Sequence, residues 1–232
     1  MKPKMIGKIL ADIGMTVLLM LLMAFELIGR AAHEWIGIGM FALFILHHIL
    51  NRNWSRSLFR GKYTPFRVFQ TIFAVLSLAA MLGSFASAVL VSREVFAFLP
   101  IRGGLALGRS LHMLCAYWGF VLLSVHLGLN WSVILGVAGR LAGKPSRPRA
   151  LVLRILGGCI ALYGVYAFFR RGIPDYLFLR TEFVFFDFEE PLAFFFLDYL
   201  AAMGLFVWIG HALAKGARRL QKGRAEPRRS PR

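Results

Sequence analysis

The chain has 232 residues, of which 58% are hydrophobic, and its formal net charge is +17. Its mean hydropathy is +0.65. A soluble globular domain of this length would not hold so large an apolar fraction, so these values exclude that class. A charge this positive also occurs in nucleic-acid-binding proteins. The placement of the charges along the chain therefore decides how they are interpreted.

The apolar residues come in six blocks, each near the length of about 20 residues that a helix needs to cross a bilayer. They predict an all-α integral membrane protein with six transmembrane helices. The first four would form a bundle, and the last two would be additional helices. The blocks lie at residues 9–29, 33–51, 66–92, 110–136, 151–169 and 191–213.

The basic residues lie mainly between alternate blocks. Of the 28 Lys and Arg residues, 21 fall in the N-terminus, residues 51–67, residues 140–154 and the tail after residue 214. These segments share one side of the membrane if six helices alternate in direction. The positive-inside rule then predicts that both termini are cytoplasmic. The charge is thus accounted for by topology and membrane lipid, and we expect no nucleic-acid partner.

Histidine is costly in lipid and tends to mark function where it occurs there. The second block holds His33 and His47, and the fourth holds His112 and His126, so the interval is 14 residues in both. Fourteen helical residues rotate through about 1400° and rise about 21 Å. The two histidines of each helix should therefore share a face, near opposite edges of the membrane. Because the two helices run in the same direction, His33 should lie level with His112, and His47 with His126.

Two stacked pairs of imidazoles suit the axial positions of two haem irons. The spacing therefore predicts two b-type haems per chain, which together would form an electron path across the membrane. Two alternatives stay open. A histidine inside a membrane can simply hydrogen-bond to a neighbouring helix. Four histidines could also ligate zinc, although no Asp, Glu or Cys completes a tetrahedral set at either level.

His48 is an alternative to His47 as a ligand, because the two neighbours differ little in helical position. A weak internal repeat favours His47. The segments "HHILN" and "HLGLN" align at an offset of 79 residues, which also aligns His33 with His112. We expect His211, alone in the sixth block, to be structural.

Haem propionates are anionic and need cationic partners near the membrane surfaces. Arg30 and Arg109 flank the outer histidine pair, and Arg52 and Arg56 flank the inner pair. These four arginines are the candidate propionate-binding residues. Ordinary interfacial snorkelling is the alternative for each.

The organisation along the chain follows from these assignments. It consists of a di-haem core in residues 1–135, a basic cytoplasmic loop in 136–150, a two-helix extension in 151–213 with an aromatic and acidic outer loop, and a basic, disordered cytoplasmic tail in 214–232. The tail is expected to be a lipid-facing anchor. No G-x-G-x-x-G pattern and no Walker loop occurs in the sequence.

The histidine pairs resemble those of bis-histidine transmembrane cytochromes b. More closely, "HHILNRNWSRSLFRGKY" and "LHMLCAYWGFVLLSVHLGLNW" resemble the bacterial flavinylation-associated cytochrome family over roughly residues 10–135. The resemblance implies a four-helix haem-binding core in the bacterial inner membrane, with His33, His47, His112 and His126 at the family's histidine positions. It also implies electron transfer between membrane donors and an extracytoplasmic flavoprotein or other redox partner.

The function expected from the sequence is therefore transmembrane electron transfer. It would link a membrane or cytoplasmic donor, with quinol and a quinone site as candidates, to an extracytoplasmic acceptor. This would make the chain an electron-transfer subunit of an oxidoreductase system, and whether it is an enzyme by itself stays open. One alternative is a self-contained ferric or quinone reductase, against which the missing nucleotide module counts. The other is a non-redox transporter or scaffold that uses the intramembrane acids Asp12, Glu26 and Asp198.

Overall fold

The structure is a computed structural model that describes residues 3–58, 60–101, 103–141 and 146–225. Within these ranges the regular secondary structure is helical, without a strand. Proline occupies the first position of α4 and the second of α7, where its missing N–H leaves no helical bond unmade. The helices are α1 (Pro3–Met23), α2 (Phe25–Leu50), α3 (Arg52–Ser57), α4 (Pro65–Val91), α5 (Leu105–Leu129), α6 (Trp131–Leu141), α7 (Arg147–Arg170), α8 (Ile173–Leu177) and α9 (Leu192–Ala225).

Six of these helices are long and apolar enough to cross a membrane, namely α1, α2, α4, α5, α7 and α9. The prediction of an all-α membrane protein with six spanning helices is thereby confirmed. Many large apolar side chains on these helices are exposed, and Leu162 of α7 is 75% exposed. Such side chains are what a spanning helix presents to lipid, where apolar exposure carries no penalty.

The first two spanning helices form an antiparallel hairpin that reverses at Gly29. Gly29 has φ 74° and ψ 169°, a backbone conformation that residues with a side chain rarely adopt. This conformation interrupts the helical geometry inside α2. Close contacts on both sides fit the same reversal point. A Cβ added at Gly14 would lie 2.9 Å from Leu43 Cδ1, and one added at Gly39 would lie 3.6 Å from Leu18 Cδ1. The predicted boundary between the first two blocks, at residues 29–33, thus agrees with the observed turn.

The end of the fourth predicted block was wrong. The block was expected to continue to residue 136, but α5 ends at Leu129 and α6 begins after Asn130. The side-chain amide of Asn130 donates to the carbonyl oxygen of His126 at 2.9 Å. Asparagine competes for backbone groups in this way, so it favours a helix end even inside an apolar stretch.

The C-terminal tail also differs from the expectation. Residues 214–225, which we expected to be disordered, continue α9 as far as Ala225. Ten of its twelve residues are Ala, Arg, Lys, Leu or Gln, which are strong helix formers, so the preceding helix extends through it in spite of two glycines. The rest of the predicted tail, residues 226–232, lies outside the described residues, as do residues 142–145 of the basic loop.

Two compact units interleave along the chain. Unit 1 comprises Met1–Gly61, Ala79–Trp118 and Ile173–Phe196, and unit 2 comprises Lys62–Leu78, Gly119–Gly172 and Leu197–Arg232. In unit 2, α5, α7 and α9 supply a core that includes the fully buried Phe120, Leu129 and Ala202. The assignment of a haem-binding function to residues 1–135 is not tested by these units and stays a prediction.

The aromatic and acidic loop belongs to unit 1 and begins with α8, which packs firmly. The ring of Tyr176 stacks on that of Tyr117 with the centroids 4.5 Å apart, and Trp118 Nε1 donates to the carbonyl oxygen of Leu177 at 3.0 Å. Several aromatic side chains after α8 are exposed. The phenylalanines of the loop at 178, 183, 185 and 188 are between 63% and 78% exposed.

Candidate metal centre

His33 of α2 and His112 of α5 lie together in unit 1. Their ring centroids are 6.0 Å apart, and the ring planes are inclined by 75°. Two imidazoles that bond to one metal at about 2 Å from opposite sides would have centroids about 6 Å apart. The separation of this pair therefore fits two nitrogen ligands of one metal. The structure thus brings His33 and His112 together, and their role as ligands stays a prediction.

The orientation of His112 is set by α4. Its Nδ1 lies 3.0 Å from the carbonyl oxygen of Ser84 and 3.3 Å from Ser87 Oγ. Because a carbonyl oxygen only accepts, Nδ1 carries the hydrogen, and Nε2 is then the nitrogen with a free lone pair. A ligating histidine almost always donates its other N–H to a carbonyl or a carboxylate. The bond to Ser84 thus orients the His112 ring, and its role as a ligand stays a prediction.

Glu34 fixes the position of His33 from the adjacent residue. Its carboxylate accepts hydrogen bonds from Ser92 Oγ at 2.6 Å and from the backbone N–H groups of Arg93, Glu94 and Val95 at 3.0, 3.1 and 2.9 Å. These bonds tie α2 to the segment that follows α4. They therefore hold the His33 end of α2 beside the helix pair that carries and orients His112.

His33 itself has a buried Nδ1 atom that lacks a hydrogen-bond partner within the described residues. The edge of Phe25 approaches the ring, with centroids 5.1 Å apart and planes inclined by 84°. A buried polar atom without a partner costs about 1–3 kcal/mol, a cost that coordination by a bound group would offset.

His47 pairs across the hairpin with Asp12 of α1. The His47 Nδ1 atom is 2.7 Å from Asp12 Oδ1, and both side chains are half-buried. The neighbouring His48 is exposed, and its Nδ1 is 3.0 Å from the carbonyl oxygen of Phe44 in its own helix. Of the two candidates, His47 is therefore the one that a second helix orients.

His126 lies in unit 2 and repeats the local geometry of His47. The amide of Asn130 donates to the His126 carbonyl oxygen at 2.9 Å, and the amide of Asn51 donates to the His47 carbonyl oxygen at 2.9 Å. Each asparagine separates a long helix from a short one. The weak repeat in the sequence thus corresponds to two helices that end in the same way, with an asparagine amide bonded to the carbonyl of the histidine four residues earlier. The expected pairing of His47 with His126 stays a prediction.

The four candidate propionate-binding arginines, Arg30, Arg52, Arg56 and Arg109, are all exposed. Exposure suits both propionate binding and snorkelling, so their role stays a prediction. His211 is half-buried on α9 in unit 2. Its expected structural role likewise stays a prediction.

Several residues that shape these sites were not assigned their roles from the sequence. Ser84, Ser87 and Glu34 carried no signal, because their partners are distant in the chain. In the sequence, Asp12 stands out only as an acid in an apolar helix. Asp198 is fully buried, and its carboxylate accepts a hydrogen bond from Tyr163 Oη at 2.6 Å. It also accepts from Arg171 Nε at 2.8 Å and from an Arg170 guanidinium nitrogen at 3.2 Å. It is thus the centre of an ion-pair network in unit 2.

Within the described residues, no group of three or more His, Cys, Asp or Glu side chains is arranged to hold a metal ion. A two-imidazole pair falls short of the four protein ligands of a structural zinc site. A haem needs fewer protein ligands, and His33 and His112 together would hold one. The residues present at the His33 level therefore fit a haem better than a bare ion.

Comparisons of the chain with protein-family models, curated proteins and solved structures find no match.

Proposed function

We propose that this chain is a transmembrane electron-transfer protein that binds two b-type haems at two levels. The observation that carries the proposal is the His33–His112 pair, with its 6.0 Å separation of ring centroids. The hydrogen bond from His112 Nδ1 to the Ser84 carbonyl adds to it, because it leaves Nε2 available as a ligand.

The chain's own residues would hold the cofactor and set its surroundings. A bound haem supplies reversible one-electron chemistry at its iron. His33 and His112 would hold the haem at one level, with Glu34 and Ser84 holding the two helices and the ring in place.

The second level would be formed by His47 and His126, each 14 residues beyond the first histidine of its own helix. The Asp12 contact supports His47 over His48, since a carboxylate on Nδ1 is a frequent partner of a ligating histidine. Arg30, Arg52, Arg56 and Arg109 would serve as partners of the propionates.

The cellular role follows from the resemblance and from the charge pattern. The chain would reside in a bacterial inner membrane with both termini in the cytoplasm. It would accept electrons from a membrane or cytoplasmic donor, with quinol as a candidate, and pass them to an extracytoplasmic flavoprotein or other redox partner. Against a transporter role, the one fully buried acid in the described part of the chain, Asp198, is held by two arginines and a tyrosine.

Haem content of the purified full-length chain tests the proposal. We expect two haems per chain in a pyridine haemochrome assay, and a reduced-minus-oxidised spectrum typical of b-type haem. His112→Ala should lose one haem and keep the other. His211→Ala, which changes a half-buried histidine outside both pairs, should keep two. A wild-type chain without haem would exclude the proposal, and a chain with one haem would exclude the two-level version.

A further inference from the structure

The short helix α6 has an apolar surface that the described part of the chain leaves open. Val133, Ile134 and Leu135 are 60%, 39% and 45% exposed. A Cβ added at Gly136 or Gly139 would meet no atom of the described chain within 4 Å. A helix of 11 residues is marginally stable alone in water, because helices in proteins gain most of their stability from the packing of an apolar face. The apolar surface of α6 therefore requires a cover from outside the described chain.

The position of α6 indicates what that cover is. Its first residue follows directly after Asn130, where the spanning helix α5 has ended. A helix of 11 residues is about 16 Å long, so it cannot cross a hydrocarbon core of about 30 Å. The apolar phase that such a helix can reach from the end of α5 is the lipid at that same membrane surface.

The side chains of α6 also divide between two faces. At about 100° per residue, Ile134 lies at the middle of an arc that holds the large apolar side chains of residues 131–137. Ser132, Gly136 and Arg140 lie on the other side. A short helix with one apolar face, in a basic part of the chain, is typical of helices that lie in the plane of the membrane surface.

Arg218 of α9 brings a positive charge to the start of α6. Both of its terminal nitrogens lie 3.2 Å from Ser132 Oγ, and its guanidinium carbon lies 4.3 Å from the centroid of the Phe66 ring. Both of these partners are neutral, and the Arg218 side chain stays exposed. The sequence has no Asp or Glu in residues 95–174 or 199–225. The surroundings of Arg218 are therefore complementary to an anion.

We propose that α6 lies in the membrane surface and forms, together with Arg218, a binding site for an anionic phospholipid. The apolar face of α6 contacts the acyl chains, and the guanidinium of Arg218 pairs with the headgroup phosphate, whose geometry its planar fork matches. Lys215 and Arg219, which are exposed on the same helix as Arg218, favour an anionic headgroup over a zwitterionic one. This inference is independent of haem binding, so either can fail without the other.

Nitroxide labels on the two faces of α6 test whether the helix lies in lipid. Ile134→Cys and Gly136→Cys are placed singly in a full-length chain whose Cys115 and Cys159 are replaced by alanine, and the labelled chains are reconstituted into vesicles of phosphatidylcholine and phosphatidylglycerol. We expect the label at 134 to collide more with oxygen, which concentrates in lipid, and the label at 136 to collide more with a water-soluble nickel chelate.

Two outcomes of the labelling experiment would overturn the proposal. If the nickel chelate dominates at both positions, α6 lies in water. If the label at 134 is shielded from both reagents, protein covers the apolar face, and this protein would be a second copy of the chain or a partner.

Native mass spectrometry of the full-length chain with equimolar phosphatidylcholine and phosphatidylglycerol tests the headgroup site. The wild-type chain should retain phosphatidylglycerol preferentially, and Arg218→Gln should reduce that preference about fivefold, the effect of one cation near a membrane surface. Arg218→Lys should keep most of it, because the charge remains. Arg219→Gln is the matched control, since it removes the same charge from the adjacent exposed residue, and it should have the smaller effect. An unchanged preference in Arg218→Gln, or equal losses in Arg218→Gln and Arg219→Gln, would refute a site at Arg218.

Discussion

At the scale of single residues, Glu34 carries an unusual share of the tertiary contacts. One carboxylate accepts from a serine hydroxyl and from three consecutive backbone N–H groups beyond the end of α4. Hydrogen bonds to a charged group contribute about 1.5–3 kcal/mol each when shielded from water, and less where water competes. The residue therefore fixes a loop and a helix end together, one position away from His33.

We expect Glu34→Ala to lower the free energy of unfolding by about 1–3 kcal/mol, because the loop donors lose a charged acceptor that water replaces only in part. Thermal unfolding of the purified protein, followed by circular dichroism, measures the change. Glu26→Ala in the same helix is the control, since Glu26 is exposed. Equal losses in the two variants would contradict the assigned role of Glu34.

At the scale of helices, close packing in unit 2 depends on glycine. A Cβ added at Gly164 of α7 would meet the backbone carbonyl of Ala201 in α9, with Ala201 C and Leu205 Cβ both at 2.9 Å. Backbone atoms cannot move aside as a flexible side chain can. The two helices therefore approach at a distance that only glycine allows, a feature typical of helix pairs in membranes.

Gly164→Ala should separate α7 from α9 and lower stability by about 1–3 kcal/mol through overpacking. Gly158→Ala is the matched control in the same helix. A Cβ there meets no atom of the described chain within 4 Å, and replacing a helical glycine by alanine is worth about 0.5–1 kcal/mol in favour of the helix. Unfolding in a denaturing detergent series measures both variants. A Gly164→Ala protein as stable as Gly158→Ala would show that the contact relaxes freely.

At the scale of the whole molecule, the distribution of Lys and Arg along the chain predicts the membrane topology. We expect the segment at residues 51–65 to face the cytoplasm and the loop at 172–189 to face outward. Single cysteines at Asn53 and Glu182, both exposed, placed in a chain whose Cys115 and Cys159 are replaced by alanine, can be tested with a membrane-impermeant thiol reagent on intact cells. Labelling at 182 and protection at 53 is the expected pattern. The reverse pattern would refute the assigned orientation.

The sequence by itself determined the fold class and most of the helix positions. Hydrophobic blocks long enough to cross a bilayer are a property of composition and length, so the spanning helices can be predicted without knowledge of any tertiary contact. The interval of 14 residues between histidines likewise needs only the helical repeat to place His33 and His47, or His112 and His126, on one face. The predicted helix ends were less accurate. The side chain of Asn130 ends α5 by bonding to a backbone carbonyl, and helix propensity extends α9 into the tail.

Only the tertiary structure decided which groups surround each histidine. Asp12 and His47 are 35 residues apart, and Glu34 is 58 residues from Ser92. No periodicity links such pairs, since their meeting depends on the reversal at Gly29 and on the path of the loop after α4. The choice between His47 and His48 shows why the sequence alone is insufficient. The two neighbours are nearly equivalent in helical position, and a carboxylate from another helix, which the sequence cannot position, distinguishes them.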